Sequence, residues 1–263
     1  MQQARTPKVL VAIPAYNCER QITRVLGDFD ERLLARLWKV LVIDNCSKDG
    51  TRRAATEAVQ RLGSDKVEVL KNEQNYGLGG SHKVAFLRAE REGADYVAIL
   101  HGDHQAKTQE LHQLVDEAIA HPEAAAILGS RFMLRSTLQG YSAVRTLGNV
   151  GLNAVYSVVS GHVTKDLGSG LNLLRMKDLL DHRYLGFTDT LNFNNDLLLD
   201  YYHKHSVLRF VPITWSETDQ VSNARNFKVG YGALKRLVTW RLGRSQFEPK
   251  PAEHYKSDRA AAS

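Results

Sequence analysis

The chain has 263 residues, 43% of them hydrophobic, and its 35 Lys and Arg against 29 Asp and Glu give a formal net charge of +6. This length and composition exclude a disordered chain and are sufficient for one large buried core. The positive charge is compatible with anionic partners such as nucleotide phosphates or acidic lipid headgroups, and equally with a soluble basic surface. Nucleic acid is not expected as a partner, because the chain contains no recognisable nucleic-acid-binding module.

Cysteine content and hydropathy indicate a cytoplasmic protein. The chain contains only Cys18 and Cys46, which lack the spacing of a metal site or a redox pair, so we expect free thiols in a reducing compartment. No apolar run approaches the roughly 20 residues that cross a bilayer, and the first residues lack the apolar stretch of a signal peptide. Any membrane contact is therefore expected to be peripheral, at the inner face of the membrane.

The first half of the chain alternates short apolar runs with longer amphipathic stretches. The apolar runs are rich in β-branched and aliphatic residues, as strands buried on both faces require. They are Val9 to Ile13, Val40 to Ile43, Val67 to Leu70, Tyr96 to Leu100 and Ala125 to Leu128. Helical spacing of apolar residues extends from Glu19 to Leu37 and recurs from Leu111 to Ile119. This alternation predicts an α/β fold with a mostly parallel central sheet and helices on both faces.

The pattern is looser in the second half. We predict a helix around Leu147 to Ser160 and short strands near Gly170 to Leu174 and Val207 to Ile213. One domain is expected over residues 1–247. The remaining residues 248–263, with their Pro and Ala content, are expected to be a disordered tail.

Polar residues collect where the first two predicted strands end. In an open α/β sheet, ligands bind at the carboxyl ends of the strands. Pro14 cannot donate to a strand ladder, so the chain is expected to turn out there and present Tyr16 and Asn17 to a cleft. Asp44 ends the second strand, where its carboxylate needs a hydrogen-bonding partner. That partner is either a nucleoside N–H or ribose hydroxyl, or a backbone N–H of the helix that follows.

Two further strand ends carry residues suited to a diphosphate and a cation. H-G-D-H-Q at 101–105 follows the fourth strand and delivers imidazole and carboxylate groups to its end. N-Y-G-L-G-G at 75–80 follows the third strand, and its glycines would allow close approach of the backbone to a ligand, with free N–H groups facing phosphate. This turn has neither the G-x-G-x-x-G of dinucleotide folds nor the G-K-[ST] of the P-loop, which excludes those two classes.

Together these segments resemble glycosyltransferase family 2, whose members have a GT-A fold that binds nucleotide-diphospho-sugars. P-A-Y-N-C-E at 14–19 is similar to the family's P-x-Y-N-E-E, and V-I-D-N-C-S-K-D-G-T at 42–51 to its V-V-D-D-G-S-x-D-G-T. N-Y-G-L-G-G is similar to N-x-G-x-G-x-A, and H-G-D-H-Q falls on D-x-D-x-Q. G-S-R-F at 129–132 and D-L-G-S-G-L at 166–171 resemble the polyprenyl-phosphate sugar transferases, the dolichyl-phosphate mannosyltransferase-like branch. The resemblance implies nucleotide-sugar binding in residues 7–130 and an acceptor side in residues 131–247.

Carried over one position at a time, the resemblance assigns the donor site. The implied donor-binding residues are Pro14, Ala15, Tyr16, Asn17, Glu19, Asp44, Asn45, Gly77, Gly79, Gly102 and Arg131. Asp103 would be indispensable to catalysis and would hold a Mg²⁺ or Mn²⁺ ion against the diphosphate, since hard oxygen ligands suit these cations. His101 stands where the family has its first Asp. Imidazole suits Mn²⁺ better than Mg²⁺, so either the metal preference is altered or His101 does not bind the metal.

On the acceptor side, the resemblance points to Asp196. It would be a general base if the acceptor were a hydroxyl, whereas a phosphate acceptor is already ionised and needs none. The alternative is a carboxylate favoured at a helix N-terminus by the macrodipole. After residue 213 the lipid-phosphate branch has an Arg and an S-K pair that are absent here, which leaves a polyprenyl-phosphate acceptor open. Arg225 and Lys228 could substitute for them.

A basic amphipathic helix is predicted beyond this point. Its apolar stripe is Tyr231, Leu234, Leu237, Val238 and Leu242, and its flanking cations are Lys235, Arg236, Arg241 and Arg244. Such a helix could lie on an anionic membrane surface. Equally, it could pack on its own domain or on a second subunit of a homodimer.

The leading hypothesis is an inverting glycosyltransferase that moves a sugar from a UDP- or GDP-sugar to a polyprenyl phosphate or a glycan hydroxyl. Two alternatives stay open. A non-catalytic nucleotide-sugar-binding protein would account for His101 and the missing cations. A metal-dependent hydrolase using His101, Asp103 and His104 would need more ligands than one short motif supplies.

Overall fold

A computed structural model of the protein describes residues 7–217, 226–244 and 247–259. Within these residues the strands are β1 (Val9–Ala15), β2 (Lys39–Asp44), β3 (Val67–Asn72), β4 (Tyr96–Leu100), β5 (Ala126–Ser130), β6 (Thr137–Gln139), β7 (Leu171–Arg175), β8 (Leu208–Pro212), β9 (Thr214–Ser216) and β10 (Ser257–Arg259). The α-helices are α1 (Glu19–Gly27), α2 (Glu31–Arg36), α3 (Thr51–Leu62), α4 (Gly77–Arg91), α5 (Leu111–Ala120), α6 (Ala143–Ser160), α7 (Phe193–His203) and α8 (Asn226–Arg241). Short 3₁₀ turns connect several of them.

The main sheet is mostly parallel. Its strand order is β10-β3-β2-β1-β4-β7-β5-β8. The pairs β3–β2, β2–β1, β1–β4 and β5–β8 are parallel, whereas β7 runs antiparallel to β4 and β5, and β10 antiparallel to β3. A separate two-stranded sheet pairs β6 with β9. The carboxyl ends of β1, β2, β3 and β4 therefore lie at one edge of the main sheet.

Alternate residues of β1 contribute to two cores. Val11 and Ile13 pack with α1, α2, α3 and α5 on one face, and Leu10 and Ala12 pack with α4 and α7 on the other. Successive side chains of a strand point to opposite faces, so a strand covered on both sides must be apolar throughout. The predicted α/β class, with helices on both faces of a mostly parallel sheet, is confirmed.

The amphipathic stretch between β1 and β2, whose helical spacing extends from Glu19 to Leu37 in the sequence, forms two helices. α1 ends at Gly27, and the side chain of Asp30 accepts a hydrogen bond of 2.7 Å from the backbone N–H of Leu33 at the start of α2. A cap of this kind satisfies a backbone donor that a new helix would otherwise leave unpaired. Phe29 and Leu33 are buried in the same core, so the apolar periodicity continues across the break.

For residues 248–259 the structure contradicts the expectation of a disordered tail, and residues 260–263 lie outside the described residues. β10 adds an antiparallel edge strand beside β3, and Tyr255 is buried against Tyr76, with ring centroids 5.5 Å apart. Phe247 packs on Phe187 at 4.9 Å. These contacts join residues far apart in the chain, which is why the local Pro and Ala content gave no sign of them. We call residues 247–259 the C-terminal strap.

Helix α8 packs on α6. The hydroxyl of Tyr156 in α6 donates to the carbonyl of Ala233 at 2.7 Å, and Leu237 is buried in the same cluster. Of the five residues in the predicted apolar stripe, only Leu237 is buried. The other four, Tyr231, Leu234, Val238 and Leu242, are between 40 and 69% exposed. Across the described ranges, none of the helices has both the length and the hydropathy that a membrane crossing requires.

Candidate active site

A cavity of about 1190 Å³ lies at the carboxyl edge of the parallel strands. The predicted site residues that line it are Pro14, Ala15, Tyr16, Asn17, Asn45, Gly77, His101, Gly102, Asp103 and Arg131. The other four, Glu19, Asp44, Gly79 and Asp196, are not part of its lining. Helices α6 and α8 form its opposite wall. This is the position at which open α/β sheets bind ligands.

The backbone bends in the same way after three of the strands. Asn17, Cys46 and His104 follow β1, β2 and β4 and have φ values of 50°, 57° and 58°. Non-glycine residues adopt this left-handed conformation rarely, and such residues cluster at functional sites. β1 itself continues through Pro14 to Ala15, one residue beyond the predicted turn.

Asp103 is held at the end of β4 by the backbone on either side of it. The N–H of His101 donates to the carbonyl of Gly170 and that of Gly102 to the carbonyl of Pro14, both at 3.0 Å. Oδ1 of Asp103 accepts from the N–H of Gln105 at 3.2 Å. Burial raises the pKa of the Asp103 carboxyl, and the neighbouring His101 partly offsets that rise. The second carboxylate of the predicted site, Asp44, lies at the same sheet edge, two strands away.

His101 faces protein groups through both ring nitrogens. Its Nε2 lies 3.4 Å from Nε2 of His82, which is fully buried in α4. Nδ1 lies so close to Gly170 that a Cβ on that glycine would come within 2.7 Å of it. Burial lowers the pKa of both histidines, which disfavours the charged form of each ring. In this orientation His101 packs against His82 and Gly170, and metal binding by His101 or Asp103 stays a prediction.

Asp44 and Asn45 divide their roles at the end of β2. Asp44 is 2% exposed, and its Oδ1 accepts from the backbone N–H of Ser47 at 3.2 Å. Asn45 lines the cavity, and its Oδ1 accepts from Nδ2 of Asn72 and from the N–H of Tyr76, each at 2.9 Å. Its Nδ2 donates to Oδ1 of Asn75 at 2.9 Å. Asn45 thereby fixes the start of the glycine turn.

The glycines of this turn allow close approach of the segment around Thr188 and Asp189. The sequence analysis predicted close approach of a ligand instead. A Cβ on Gly77 would lie 2.4 Å from the carbonyl oxygen of Asp189, and one on Gly79 would lie 2.3 Å from that of Thr188. The N–H of Gly79 donates to the Asp189 carbonyl at 2.9 Å. Gly77 still lines the cavity, whereas Gly79 is covered by the neighbouring segment.

Glu19 and Arg131 each have partners within the protein. Oε2 of Glu19 accepts from the N–H of Gly50 at 3.2 Å and its Oε1 from Arg53 at 3.0 Å, which joins the ends of β1 and β2. Arg131 donates to both carboxylate oxygens of Asp166 at 2.8 Å while it lines the cavity. A bidentate pair of this kind fixes the guanidinium plane.

Asp196 is buried and is not part of the cavity lining. Its Oδ1 is 2.8 Å from Nε of Arg236 in α8, and its Oδ2 accepts from the N–H of Thr188 at 3.0 Å. Burial raises its pKa. In this position Asp196 connects α7 with α8 and with the segment that covers the glycine turn. The role of general base stays a prediction that these contacts do not favour.

Sequence reasoning missed much of the cavity lining, including four aromatic or charged residues. They are Tyr141, Arg145, Trp215 and Glu217. Arg145 is ion-paired with Glu217, and Nε1 of Trp215 donates to Glu217 at 3.4 Å. For Trp215 and Glu217 the sequence signal was T-W-S-E at 214–217, which stands where the resembling branch has its cations. Tyr141 and Arg145 had no such signal. Arg225 lies outside the described residues.

The cavity lining is electrically balanced. Among the described residues that line it, Asp103 and Glu217 are acidic and Arg131 and Arg145 are basic, so these four formal charges sum to zero. A diphosphate would therefore bring uncompensated negative charge. Mg²⁺ in nucleotide sites usually takes one or two carboxylates and completes its shell with phosphate and water. Asp103 in a neutral cavity fits an ion that enters together with a nucleotide.

No larger metal centre is present in the described part of the chain. No group of three or more His, Cys, Asp or Glu side chains there is placed to hold a metal ion. His104 is engaged elsewhere, with Nε2 at 2.9 Å from Asp28. This arrangement does not support the metal-dependent hydrolase considered from the sequence.

The fold is that of the GT-A glycosyltransferases. Glucosyl-3-phosphoglycerate synthase of Mycobacterium tuberculosis, solved with Mn²⁺, UDP-glucose and phosphoglyceric acid, superposes with a TM-score of 0.66 at 16% identity, covering 98% of this chain and 88% of that one. The glycosyl transferase family 2 model matches residues 10–179. The chain belongs to glycosyl transferase family 2, as its motifs indicated, and is an enzyme of the transferase class.

Two curated relatives act on lipid phosphates according to their names. UDP-N-acetylglucosamine–dolichyl-phosphate N-acetylglucosaminyltransferase of Methanococcus voltae is 24% identical over 173 residues, covering 62% of this chain and 67% of the relative. Undecaprenyl-phosphate 4-deoxy-4-formamido-L-arabinose transferase of Klebsiella pneumoniae is 34% identical over 113 residues. That match covers 42% of this chain and one third, 33%, of the relative's length. The similarity to the polyprenyl-phosphate branch predicted from the sequence is confirmed.

Proposed function

We propose that this protein transfers a sugar from a UDP- or GDP-sugar to a polyprenyl phosphate with inversion at the anomeric carbon. One observation carries the proposal. Asp103, residues at the ends of β1 and β2, and residues of the glycine turn all line the same cavity. Apolar residues of α6 and α8, among them Val144, Leu152 and Leu234, line the same cavity and suit a lipid-linked acceptor. The names of the curated relatives support the same acceptor class.

The charge balance supports a divalent cation as cofactor. Asp103 would hold Mg²⁺ or Mn²⁺ at the diphosphate, and the ion would supply the positive charge that stabilises the departing nucleoside diphosphate. Tyr16, Asn17 and Asn45 would position the nucleoside at the ends of β1 and β2. Arg131, fixed by Asp166, would orient the phosphates from the other side.

A single displacement accounts for the groups in the cavity. An oxygen of the acceptor phosphate would form the new bond to the anomeric carbon as the bond to the diphosphate breaks, and this inverts the configuration. The phosphate is already ionised, so no base is needed. Burial raises the pKa of the Cys18 thiol to about 12, which keeps this cavity residue protonated and a poor nucleophile. Of the two described cavity carboxylates, Asp103 would serve the cation and Glu217 is paired with Arg145.

The test is a transfer assay with purified protein, UDP- and GDP-sugars, a short-chain polyprenyl phosphate and Mn²⁺ or Mg²⁺. Product anomers are assigned by NMR. We expect metal-dependent transfer to the lipid phosphate with inverted configuration. Transfer confined to glycan hydroxyls would overturn the acceptor class, and a retained configuration would overturn the single displacement. Tight nucleotide binding without any transfer would instead support a binding protein.

A further inference from the structure

Helix α6 departs from the usual pattern of a surface helix. Every exposed position in it is apolar or glycine, namely Ala143, Val144, Leu147, Gly148, Val150, Gly151, Ala154, Val155 and Val158. Val144, Leu147 and Val158 are 81, 75 and 82% exposed. Surface helices normally turn polar and charged residues outward, and a continuous apolar surface marks an interaction site.

Helix α8 adds exposed apolar residues and positive charge. Tyr231, Leu234 and Val238 recur at helical spacing and are 69, 40 and 54% exposed. Neither α6 nor α8 contains an Asp or Glu, whereas α8 exposes Lys228, Lys235 and Arg241. We call the set Val144, Leu147, Val155, Val158, Tyr231, Leu234 and Val238 the α6–α8 face.

The α6–α8 face borders the mouth of the cavity. Val144 of α6 and Tyr231 and Leu234 of α8 are exposed and also line the cavity. The two helices are joined by the hydrogen bond from Tyr156 to Ala233 and by buried Leu237. A surface that covers this face would therefore lie directly at the entrance to the candidate active site.

We propose that the α6–α8 face docks on an anionic lipid bilayer. Its apolar side chains would enter the boundary between headgroups and acyl chains, while Lys228, Lys235 and Arg241 contact acidic headgroups. The inference deepens the proposed function, since it places the cavity mouth where a lipid-linked acceptor resides. A second copy of the chain fits the face less well. Symmetric pairing would bring the cations of two α8 helices together, and neither α6 nor α8 has an Asp or Glu to offset them.

The test measures sedimentation of the purified full chain with vesicles of phosphatidylcholine alone or mixed with phosphatidylglycerol. We expect salt-sensitive binding that requires the anionic lipid. The double variant Leu147→Ser/Val158→Ser, outside the cavity lining, should bind at least about tenfold more weakly, because each side chain loses the free energy of apolar burial. Lys235→Glu/Arg241→Glu should abolish the preference for anionic lipid. The matched controls Ile119→Ser on α5 and Arg61→Glu on α3, both exposed, should bind like the wild type.

Three results would overturn the docking surface. They are wild-type protein that stays in the supernatant with anionic vesicles, equal losses in the control variants, or a dimer in sedimentation velocity that Leu147→Ser/Val158→Ser converts to monomer. Calorimetric titration with UDP and GDP plus Mn²⁺, in the absence of lipid, separates this inference from the proposed function. Intact nucleotide binding with no vesicle binding rejects only the surface, whereas absent nucleotide binding rejects the proposed function.

Discussion

The side-chain amide of Asn45 donates a hydrogen bond of 2.9 Å to the side-chain carbonyl of Asn75. The same nitrogen lies 3.3 Å from the carbonyl oxygen of Gly77, and Oδ1 of Asn45 accepts from Asn72 and Tyr76. The resembling family motif has an Asp at this position. An Asp at this position would place a carboxylate oxygen against two other acceptors, Oδ1 of Asn75 and the carbonyl oxygen of Gly77. The amide of Asn45 is therefore needed to hold the glycine turn in this chain.

Asn45→Asp should therefore weaken donor binding. Two hydrogen bonds are lost and a buried charge meets two carbonyl oxygens, which costs about 1–3 kcal/mol of stability. We expect the KM for the nucleotide-sugar to rise while kcat changes less, since the turn positions the donor. Steady-state kinetics and thermal unfolding measure the two effects.

Asn153→Asp is the matched control for this substitution. Asn153 is buried in α6, donates to the carbonyl of Lys165 at 2.9 Å and is not part of the cavity lining. The control should lose stability with an unchanged donor KM. An equal rise in KM for both variants would mean that Asn45 acts through stability alone.

The C-terminal strap is predicted to support the glycine turn. The Lys83 ammonium is buried in α4 and donates to the carbonyl of Phe187 at 2.6 Å, to Asp189 Oδ1 at 2.7 Å and to the Tyr255 hydroxyl at 2.9 Å. That hydroxyl in turn donates to Asp189 at 2.9 Å. Tyr255→Phe should cost about 1–3 kcal/mol, because a buried ammonium loses an acceptor. Chemical unfolding measures the change.

Tyr184→Phe provides the comparison. The Tyr184 hydroxyl is buried and has no hydrogen-bond partner among the described residues, so its removal should be neutral or stabilising. If both Tyr→Phe variants lose the same stability, the network around Lys83 has no special role.

Asp189 predicts a definite pH dependence. Burial would raise its pKa, but hydrogen bonds from Lys250, Lys83 and Tyr255 outweigh it and hold the pKa below the ordinary carboxyl value. Its contribution to stability is thus present above the unfolded-state pKa and is lost as the pH falls through the lower folded-state pKa. The difference in unfolding free energy between wild type and Asp189→Asn should shrink from about pH 5 to about pH 3. A difference that stays constant over this range would contradict the assignment.

His101 is predicted to be dispensable for the cation. Both of its ring nitrogens face protein, so His101→Asn should keep metal-dependent nucleotide affinity within about threefold of wild type, less than about 1 kcal/mol. Calorimetry with and without Mn²⁺ measures this. A loss of the metal effect in His101→Asn, with nucleotide binding otherwise intact, would make the imidazole a ligand.

The strands were predictable because the burial of each strand shows in the apolar character of its own residues. β1, β2 and β4 are covered on both faces, so each is an uninterrupted apolar run, and polar residues mark the points at which they leave the sheet. The motifs at those ends fixed which residues line the cavity wall formed by Ala15, Asn45 and Asp103. Helix α1 was placed correctly at its start, but its end was hidden because Phe29 and Leu33 continue the apolar spacing.

The features that could not be predicted depend on distant partners. Tyr255 is buried only because Tyr76 and Lys83 are nearby in space, although they precede it by more than 170 residues. The apolar residues of α6 have the spacing of a buried helix, and only the fold shows that this face is uncovered. The glycines at 77 and 79 face carbonyls of the segment before α7, a contact with no local signal.

The most direct test of the account is calorimetric binding of UDP and GDP, with and without Mn²⁺, to the wild-type protein and to Asp103→Asn. We predict that one nucleotide binds the wild type at least about tenfold more tightly with Mn²⁺, and that Asp103→Asn loses this gain while keeping its folded stability. Full metal-dependent affinity in Asp103→Asn would contradict the account.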